Sequence, residues 1–215
     1  IIAMLLAMLP AAGFADSTDT VRLAGANRVE TALKICDEGW KSATTVILAS
    51  SDEAHLFDAL VAAPLAGQED APILVTPKNA LNSKVKAKLK ELGAKKVYIV
   101  GALSESVRNE VTAIGGLTVV KLGSADKRAT ARAVAAELDN PAGTFVVGDG
   151  GLADALSVAS YAAAYNYSIA ITDANGNIAE SDLSGDTIYI VGGKARVNDI
   201  AGAKRFGGAD RYKTN

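Results

Sequence analysis

One ten-residue segment decides the fold of this chain: RLAGANRVET at residues 22–31 returns as KLGSADKRAT at 121–130 and as RFGGADRYKT at 205–214. Motifs that recur in a fixed order are typical of a chain built from similar units, each of which buries its apolar face against a neighbour. The sequence therefore predicts a first unit over residues 16–120, a second unit over 121–204 and the start of a truncated third unit over 205–215.

The stretches between these openings also correspond in order. Three further motif pairs share position and length: FDAL (57–60) with ADAL (153–156), PILVT (72–76) with SIAIT (168–172), and VYIVG (97–101) with IYIVG (188–192). Short continuous apolar runs within them indicate strands buried on both faces of a parallel sheet. Because these strands alternate with helical patterns, we predict an α/β fold made of tandem small parallel-sheet modules. Polar residues and glycines between 172 and 187 predict that the second unit shortens or loses one helix.

Length and composition exclude several classes of protein. The chain has 215 residues, 49% of them hydrophobic, and a net charge of -2, which argues against a dedicated nucleic-acid-binding module. Its single cysteine and single histidine exclude a disulfide framework and a His/Cys metal site. Cys36 lies on an apolar helical pattern and is expected to be a buried small hydrophobe, and His55 is expected to be a polar residue of a loop or a helix start.

The first fifteen residues, IIAMLLAMLPAAGFA, are uncharged and almost wholly apolar. The run is shorter than the ~20 residues of a membrane-spanning helix and ends in small residues, as the core and cleavage site of a secretory signal do. A buried N-terminal helix is the alternative. We predict that residues 1–15 are the remnant of a signal peptide and that the remaining protein is exported, with no stable membrane insertion.

The repeated motifs resemble the type 2 cell-wall-binding repeat (CWB2) family of Gram-positive surface proteins. The pattern R-[ILF]-x-G-x-[DN]-R-[YV]-x-T fits residues 22–31 and 205–214, and the DAL, PILVT and VYIVG motifs follow in the order of that family. The second unit departs from the pattern, because Lys121 and Lys127 replace arginines and Ser124 replaces a glycine. We therefore expect the middle unit to be more structural than ligand-binding.

The resemblance implies a non-catalytic anchor. Repeats of this family usually occur in threes, have a Toprim-like, Rossmann-like α/β fold, and pack around a pseudo-threefold axis. They hold an exported protein non-covalently on an anionic secondary cell-wall polymer, which is teichoic-acid-like, and need no cofactor or metal. A separate domain of the same protein then acts in wall hydrolysis, adhesion or surface-layer assembly.

The basic pairs of the three openings are the first candidates for polymer contact: Arg22 with Arg28, Lys121 with Lys127, and Arg205 with Arg211. Guanidinium and ammonium groups suit phosphate or carboxylate, and repetition makes weak contacts act together. The alternative, given equal weight, is that these groups pair with neighbouring carboxylates and hold the units together.

Two further sets of residues are candidates. Asp58 and Asp154 stand near helix starts, where the helix dipole alone accounts for an aspartate, and inter-unit pairing or contact with polymer hydroxyls are the alternatives. Ile73, Leu74 and Val75 form a core strand by composition, and the family resemblance implies that this strand matters for wall attachment.

Two other functions compete with anchoring alone. Residues 148–153 read G-x-G-x-x-A between a strand and a helix, and Asp173 follows the next strand, as in a dinucleotide-binding enzyme. The equivalent loop of the first unit has no glycine, so a cofactor site would be confined to one of the two units. This favours the interpretation that the glycines of the second unit only shape the turn between a strand and a helix. The second alternative is the anchor region of a wall hydrolase, such as an amidase, whose catalytic domain lies outside these residues.

Overall fold

The computed structural model describes residues 20–208, so the predicted signal remnant and Arg211 lie outside the described residues. The helices are α1 (Arg28–Gly39), α2 (Leu56–Val61), α3 (Ala63–Gln68), α4 (Ser83–Glu91), α5 (Glu105–Thr112), α6 (Lys127–Ala135) and α7 (Leu152–Tyr165). The strands are β1 (Thr45–Ser50), β2 (Ile73–Thr76), β3 (Lys96–Val100), β4 (Thr118–Leu122), β5 (Gly143–Val147), β6 (Tyr167–Ile171), β7 (Thr187–Val191) and β8 (Lys204–Phe206). Short 3₁₀ helices span Glu53–His55 and Glu180–Asp182.

The strands form two four-stranded sheets of identical topology. Their orders are β2-β1-β3-β4 and β6-β5-β7-β8, and every paired strand is parallel to its neighbour. The predicted fold class, tandem parallel-sheet α/β modules, is therefore confirmed.

The fourth strand of each sheet carries the opening motif of the following unit. Lys121 lies in β4 and pairs with Ile99, and Arg205 lies in β8 and pairs with Ile190. The second and third openings therefore each complete one sheet before the next unit begins. This placement was not predicted from the sequence.

Helix starts and the missing helix follow the sequence pattern. Asn82 caps α4 by accepting a hydrogen bond from the backbone N–H of Lys84 over 2.9 Å, as expected for an N-cap asparagine. In the second unit the segment after β6 contains only the 3₁₀ helix Glu180–Asp182, which confirms the predicted loss. Within residues 20–208, no helix is long and apolar enough to cross a membrane.

The core is shared between the units. One face of the first sheet packs on α1, α4 and α5, and Cys36 is buried there as predicted. The opposite face buries Tyr98 together with Val134 of α6, which belongs to the second unit. Phe57 and Val61 of α2 join the core of the second unit, and α3 packs along α7. The two units are therefore joined by continuous apolar packing.

Candidate functional site

The opening motif is a compact turn that connects a strand to a helix. Asn27 caps α1 by accepting from the N–H of Glu30, and Asp126 caps α6 by accepting from the N–H groups of Arg128 and Ala129. The threonine at the end of the repeated motif ties the turn to the helix: the hydroxyl of Thr130 accepts a hydrogen bond from the N–H of Ser124 over 3.2 Å. The spacing of the motif is thus explained by local hydrogen bonding.

The first cations of the second and third openings, Lys121 and Arg205, reach the turn that follows the third strand of the preceding sheet. Lys121 Nζ donates to the carbonyls of Gly101 and Leu103 over 2.5 and 2.8 Å, and burial lowers the pKa of this ammonium group. Arg205 donates to the carbonyls of Gly192 and Val197 over 2.9 and 2.8 Å. Both side chains therefore tie an opening to the unit before it.

Removing the Lys121 ammonium group should lower the stability of the folded chain. Lys121→Met keeps the apolar stem but leaves two backbone carbonyls without their charged donor, so we expect a loss of about 1.5 kcal/mol in the free energy of unfolding. Urea unfolding measures it, with exposed Lys95→Met as the control. Equal stability of the two variants would contradict this assignment.

In the first two openings, the second cation lies at the loop that follows the first strand of its own unit. Arg28 Nη1 donates to the carbonyl of Ser51 over 3.2 Å and pairs with Glu53 over 3.5 Å, where both side chains are more than half exposed. Lys127 Nζ contacts the Asp149 carboxylate over 3.0 Å and lies 4.9 Å from the centre of the Phe57 ring. These two cations remain accessible from solvent.

Arg22 differs from its counterparts in the later openings. It is exposed, and among the residues that the structure describes it has no hydrogen-bond or ion-pair partner. Its equivalents Lys121 and Arg205 are held by the preceding sheet.

The two candidate aspartates lie against the turn after the third strand of their own unit. Asp58 is 2% exposed, and its carboxylate accepts from the N–H of Ala102 over 3.0 Å. Gly101 has φ +71°, and an added Cβ would lie 2.0 Å from the Asp58 carboxylate, so only glycine fits there. Asp154 lies against Gly192 in the same way. Burial raises the pKa of Asp58, and the Ala102 N–H opposes that rise.

This burial predicts a pH-dependent difference between the wild type and Asp58→Asn. A carboxyl whose pKa is raised by folding contributes stability below its unfolded pKa, near 3.9, and that contribution is lost as pH rises through the folded pKa. The amide can still accept from Ala102 but does not titrate. The variant should therefore gain stability relative to wild type as pH rises above about 4.

Urea unfolding at several pH values measures this difference. Asp186→Asn, at an exposed position, is the control and should show no comparable trend. A gap between Asp58→Asn and wild type that stays constant with pH, or that moves in favour of wild type, would contradict the assigned burial cost.

Ile73, Leu74 and Val75 form most of β2, at the edge of the first sheet. Leu74 is fully buried in the cluster that includes α1, α4 and α5, and Val75 packs against the same cluster. Ile73 packs against the cluster that includes Tyr98. The strand lies in the core, as its composition predicts.

A groove lies where the two units meet, and it brings predicted and unpredicted residues together. It has a volume of about 270 Å³ and is lined by residues of both units: Ala54, His55, Phe57, Asp58, Ala125, Asp126 and Lys127. We call it the junction groove. It lies beyond the carboxyl ends of the strands, the edge at which parallel α/β sheets commonly bind ligands.

His55 and Phe57 were missed as site residues. The FDAL motif marks the position of Phe57, but no sequence signal links either residue to Lys127, which lies in the other unit. Within residues 20–208, no cluster of His, Cys, Asp and Glu side chains could hold a metal ion.

The glycine-rich loop of the second unit has a packing explanation. A Cβ at Gly148 would lie 2.8 Å from Cβ of Arg196, and one at Gly150 would lie 2.5 Å from the Arg196 guanidinium. Asp173 accepts hydrogen bonds from the backbone N–H groups of Asn177 and Asn175, and these bonds, that of Asn177 above all, hold the pKa of Asp173 below its usual range. These glycines make room for Arg196, and the aspartate closes its own turn.

Comparison with known proteins identifies the repeat. The family model described as cell wall binding domain 2 (CWB2) matches residues 22–122 and 121–201. The chain belongs to the CWB2 family. The two matches overlap at Lys121 and Leu122, the residues that end the first sheet and open the second unit.

Relatives and solved structures agree with this family. The chain is 31% identical over 205 residues to N-acetylmuramoyl-L-alanine amidase LytC of Bacillus subtilis (strain 168), covering 89% of this chain and 41% of that protein. Among solved structures, Cwp6 from Clostridium difficile matches with a TM-score of 0.79 and 26% identity over 93% of this chain and 37% of that one. Cwp8 from the same organism matches with a TM-score of 0.77 and 30% identity over 89% of this chain and 36% of that one. The chain thus spans less than half the length of these proteins.

Family membership confirms three predictions: the CWB2 resemblance, anchoring to the cell wall as the function, and location at the cell wall outside the membrane. CWB2 is a binding domain that binds cell-wall polymers. The boundaries predicted for the units and the residues predicted to contact polymer stay predictions.

Proposed function

We propose that this region anchors its protein by capturing an anionic, teichoic-acid-like secondary wall polymer in grooves between repeat units. The observation that supports this most is the junction groove, which combines an accessible ammonium group, Lys127, with a ring and a histidine from the neighbouring unit. A phosphate or carboxylate of the polymer would pair with Lys127, and the sugar would lie along the groove.

The accessible cations at the first opening extend this surface. The ion pair between Arg28 and Glu53 is highly exposed, and an exposed ion pair contributes little free energy. The Arg28 guanidinium is therefore available to a polymer phosphate. Arg22 is exposed and belongs to the same opening. Several such weak contacts, repeated along one chain, give firm attachment through a raised effective concentration.

The other predicted residues support the groove without facing the polymer. Lys121 and Arg205 tie consecutive units, Asp58 and Asp154 lie against the turns that those ties reach, and Ile73 to Val75 build the sheet. Arg211, the counterpart of Arg28 and Lys127, is assigned to polymer contact by its position in the motif.

A sedimentation assay with purified cell walls tests the proposal. The 215-residue chain should sediment with intact walls and remain in solution with walls from which the secondary polymer has been stripped. Added salt should weaken binding to intact walls, because screening reduces the attraction between exposed charges. Equal binding to stripped walls would contradict the proposal.

We also propose that this region catalyses nothing and that an effector lies in the remainder of the protein. The similarity to an amidase over 41% of its length favours a wall hydrolase as that effector. The 215-residue chain should leave the turbidity of a wall suspension unchanged. Clearing of the suspension by this chain alone would contradict the proposal.

A further inference from the structure

His55 is the only histidine of the 215-residue chain, and the structure places it in the junction groove. It ends the 3₁₀ helix Glu53–His55, directly before α2, and its backbone N–H donates to the carbonyl of Asp52 over 3.0 Å. The residue is half-buried. Histidine is the side chain whose ordinary change of charge falls between about pH 5 and pH 8. The groove therefore contains a group that can gain a positive charge in that range.

The other charged groups of the groove already have partners within the protein. The Asp126 carboxylate accepts from two backbone N–H groups at the start of α6, and the Asp58 carboxylate accepts from another in the turn after β3. Lys127 Nζ, although accessible, donates to the carbonyl of Asp149 over 2.5 Å and pairs with its carboxylate over 3.0 Å. Within residues 20–208, by contrast, the imidazole of His55 has no hydrogen-bond or ion-pair partner. Its ring nitrogens are therefore available to a bound molecule.

The titratable groups around His55 come from both units. They are Asp52, Glu53 and Asp58 of the first unit and Asp126, Lys127 and Asp149 of the second. Burial raises the pKa of Asp58, and the Ala102 N–H and the charge of His55 oppose that rise. Because carboxylates outnumber the Lys127 ammonium group in this set, a neutral imidazole leaves the groove poor in positive charge. Nearby carboxylates favour the imidazolium form, which gives the groove a second cation for an anion to bind.

The second unit has no counterpart of this imidazole. Counted back from the DAL motif, Gly151 stands at the position of His55, and Ala153 stands at that of Phe57. The helix that carries the motif nevertheless forms in both units, as α2 and as α7. The start of that helix therefore does not require a histidine, which favours a role for His55 in binding.

We propose that His55 is a polymer-binding residue of the junction groove and that its protonation strengthens attachment to the wall as pH falls from about 7.5 to about 5.5. The imidazolium donates through both ring nitrogens and pairs with the same phosphate or carboxylate as Lys127. At higher pH the neutral ring keeps one donor and one acceptor, which suit a polymer hydroxyl. This inference rests on the proposed function and adds to it a specificity-determining residue and a dependence on pH.

Sedimentation with intact walls, at constant ionic strength and at about pH 5.5 and about pH 7.5, tests the inference. Carboxyl groups titrate near pH 4 and phosphodiesters lower still, so the polymer keeps its charge at both values. We expect the wild type to bind roughly fivefold more tightly at the lower pH, because hydrogen bonds between charged partners are the stronger ones. His55→Gln keeps a donor and an acceptor but does not titrate, so its affinity should change by less than about twofold.

A histidine placed outside the groove separates this effect from a change in total charge. Ala87 is exposed on α4 in the first unit. Ala87→His, made in the His55→Gln background, returns one titratable imidazole to the chain at a distance from the groove. This double variant should not recover the pH dependence of the wild type. Recovery of that dependence would mean that net charge alone acts, and it would overturn the inference.

The remaining outcomes separate this inference from the proposed function. At the higher pH the wild type and His55→Gln should bind within about twofold of each other. If His55→Gln bound more weakly than the wild type by the same factor at both pH values, His55 would have only a structural role, and the inference would be overturned. Polymer-dependent binding by the wild type that does not change with pH would overturn the inference alone. Equal binding to intact and stripped walls at both pH values would overturn the proposed function and this inference together.

Discussion

Gly67→Ala should destabilise the folded chain by about 2 kcal/mol. Gly67 lies in α3 where that helix crosses α7, and an added Cβ would lie 2.2 Å from the carbonyl oxygen of Ala163. That oxygen belongs to the backbone, so it cannot move aside by a change of rotamer, and the two helices must separate. Overpacking of this kind costs about 1–3 kcal/mol, which exceeds the gain in helix propensity from glycine to alanine.

Gly39→Ala is a matched control for this substitution. Gly39 is also a helix residue, the last of α1, but a Cβ added there would meet no atom within 4 Å. Urea unfolding should therefore show a lower free energy of unfolding only for Gly67→Ala. Equal stability of the two variants would mean that the close contact of α3 and α7 does not join the units.

Arg28→Ala combined with Lys127→Ala should weaken binding to cell walls at least roughly tenfold. Each substitution removes an accessible cation beside the loop that follows a first strand, and a hydrogen bond to a charged group contributes about 1.5–3 kcal/mol when it is not fully screened. The loss should exceed that of either single variant, because contacts on one chain reinforce each other. The measurement is the affinity for intact walls in a sedimentation assay.

The control for this pair removes the same charge elsewhere. Lys90 and Lys95 are exposed residues of the first unit, on α4 and just after it. Their double alanine variant changes the net charge equally, so it should retain most of the wall affinity. If both double variants lose affinity equally, binding depends on overall charge and not on the openings of the repeats.

The sequence was sufficient for the fold of each unit. A continuous apolar run such as Val46–Ala49 indicates a strand that is buried on both faces of a parallel sheet, and all four of these residues are fully buried in β1. The capping residue Asn82 and the lost helix after β6 were also predictable, because capping and polar loop composition are local properties.

The relation between units was not predictable in the same way. The opening motif begins each repeat in sequence, but Lys121 and Leu122 complete the preceding sheet, since strand pairing is a long-range contact. The junction groove brings His55 close to Lys127 only because the units pack through α2, α3 and α7. The free energy of burying the Asp58 carboxyl was not predictable either, because its hydrogen-bond donor, the N–H of Ala102, lies 44 residues away in the sequence.

The central claim, capture of an anionic polymer by the cations at the repeat openings, is tested most directly by titrating the polymer released from purified walls into the chain in a calorimeter. We predict saturable binding by the wild type, which salt weakens and which Arg28→Ala with Lys127→Ala largely removes. A chain that shows no heat of binding to the released polymer, yet still sediments with stripped walls, would contradict the claim.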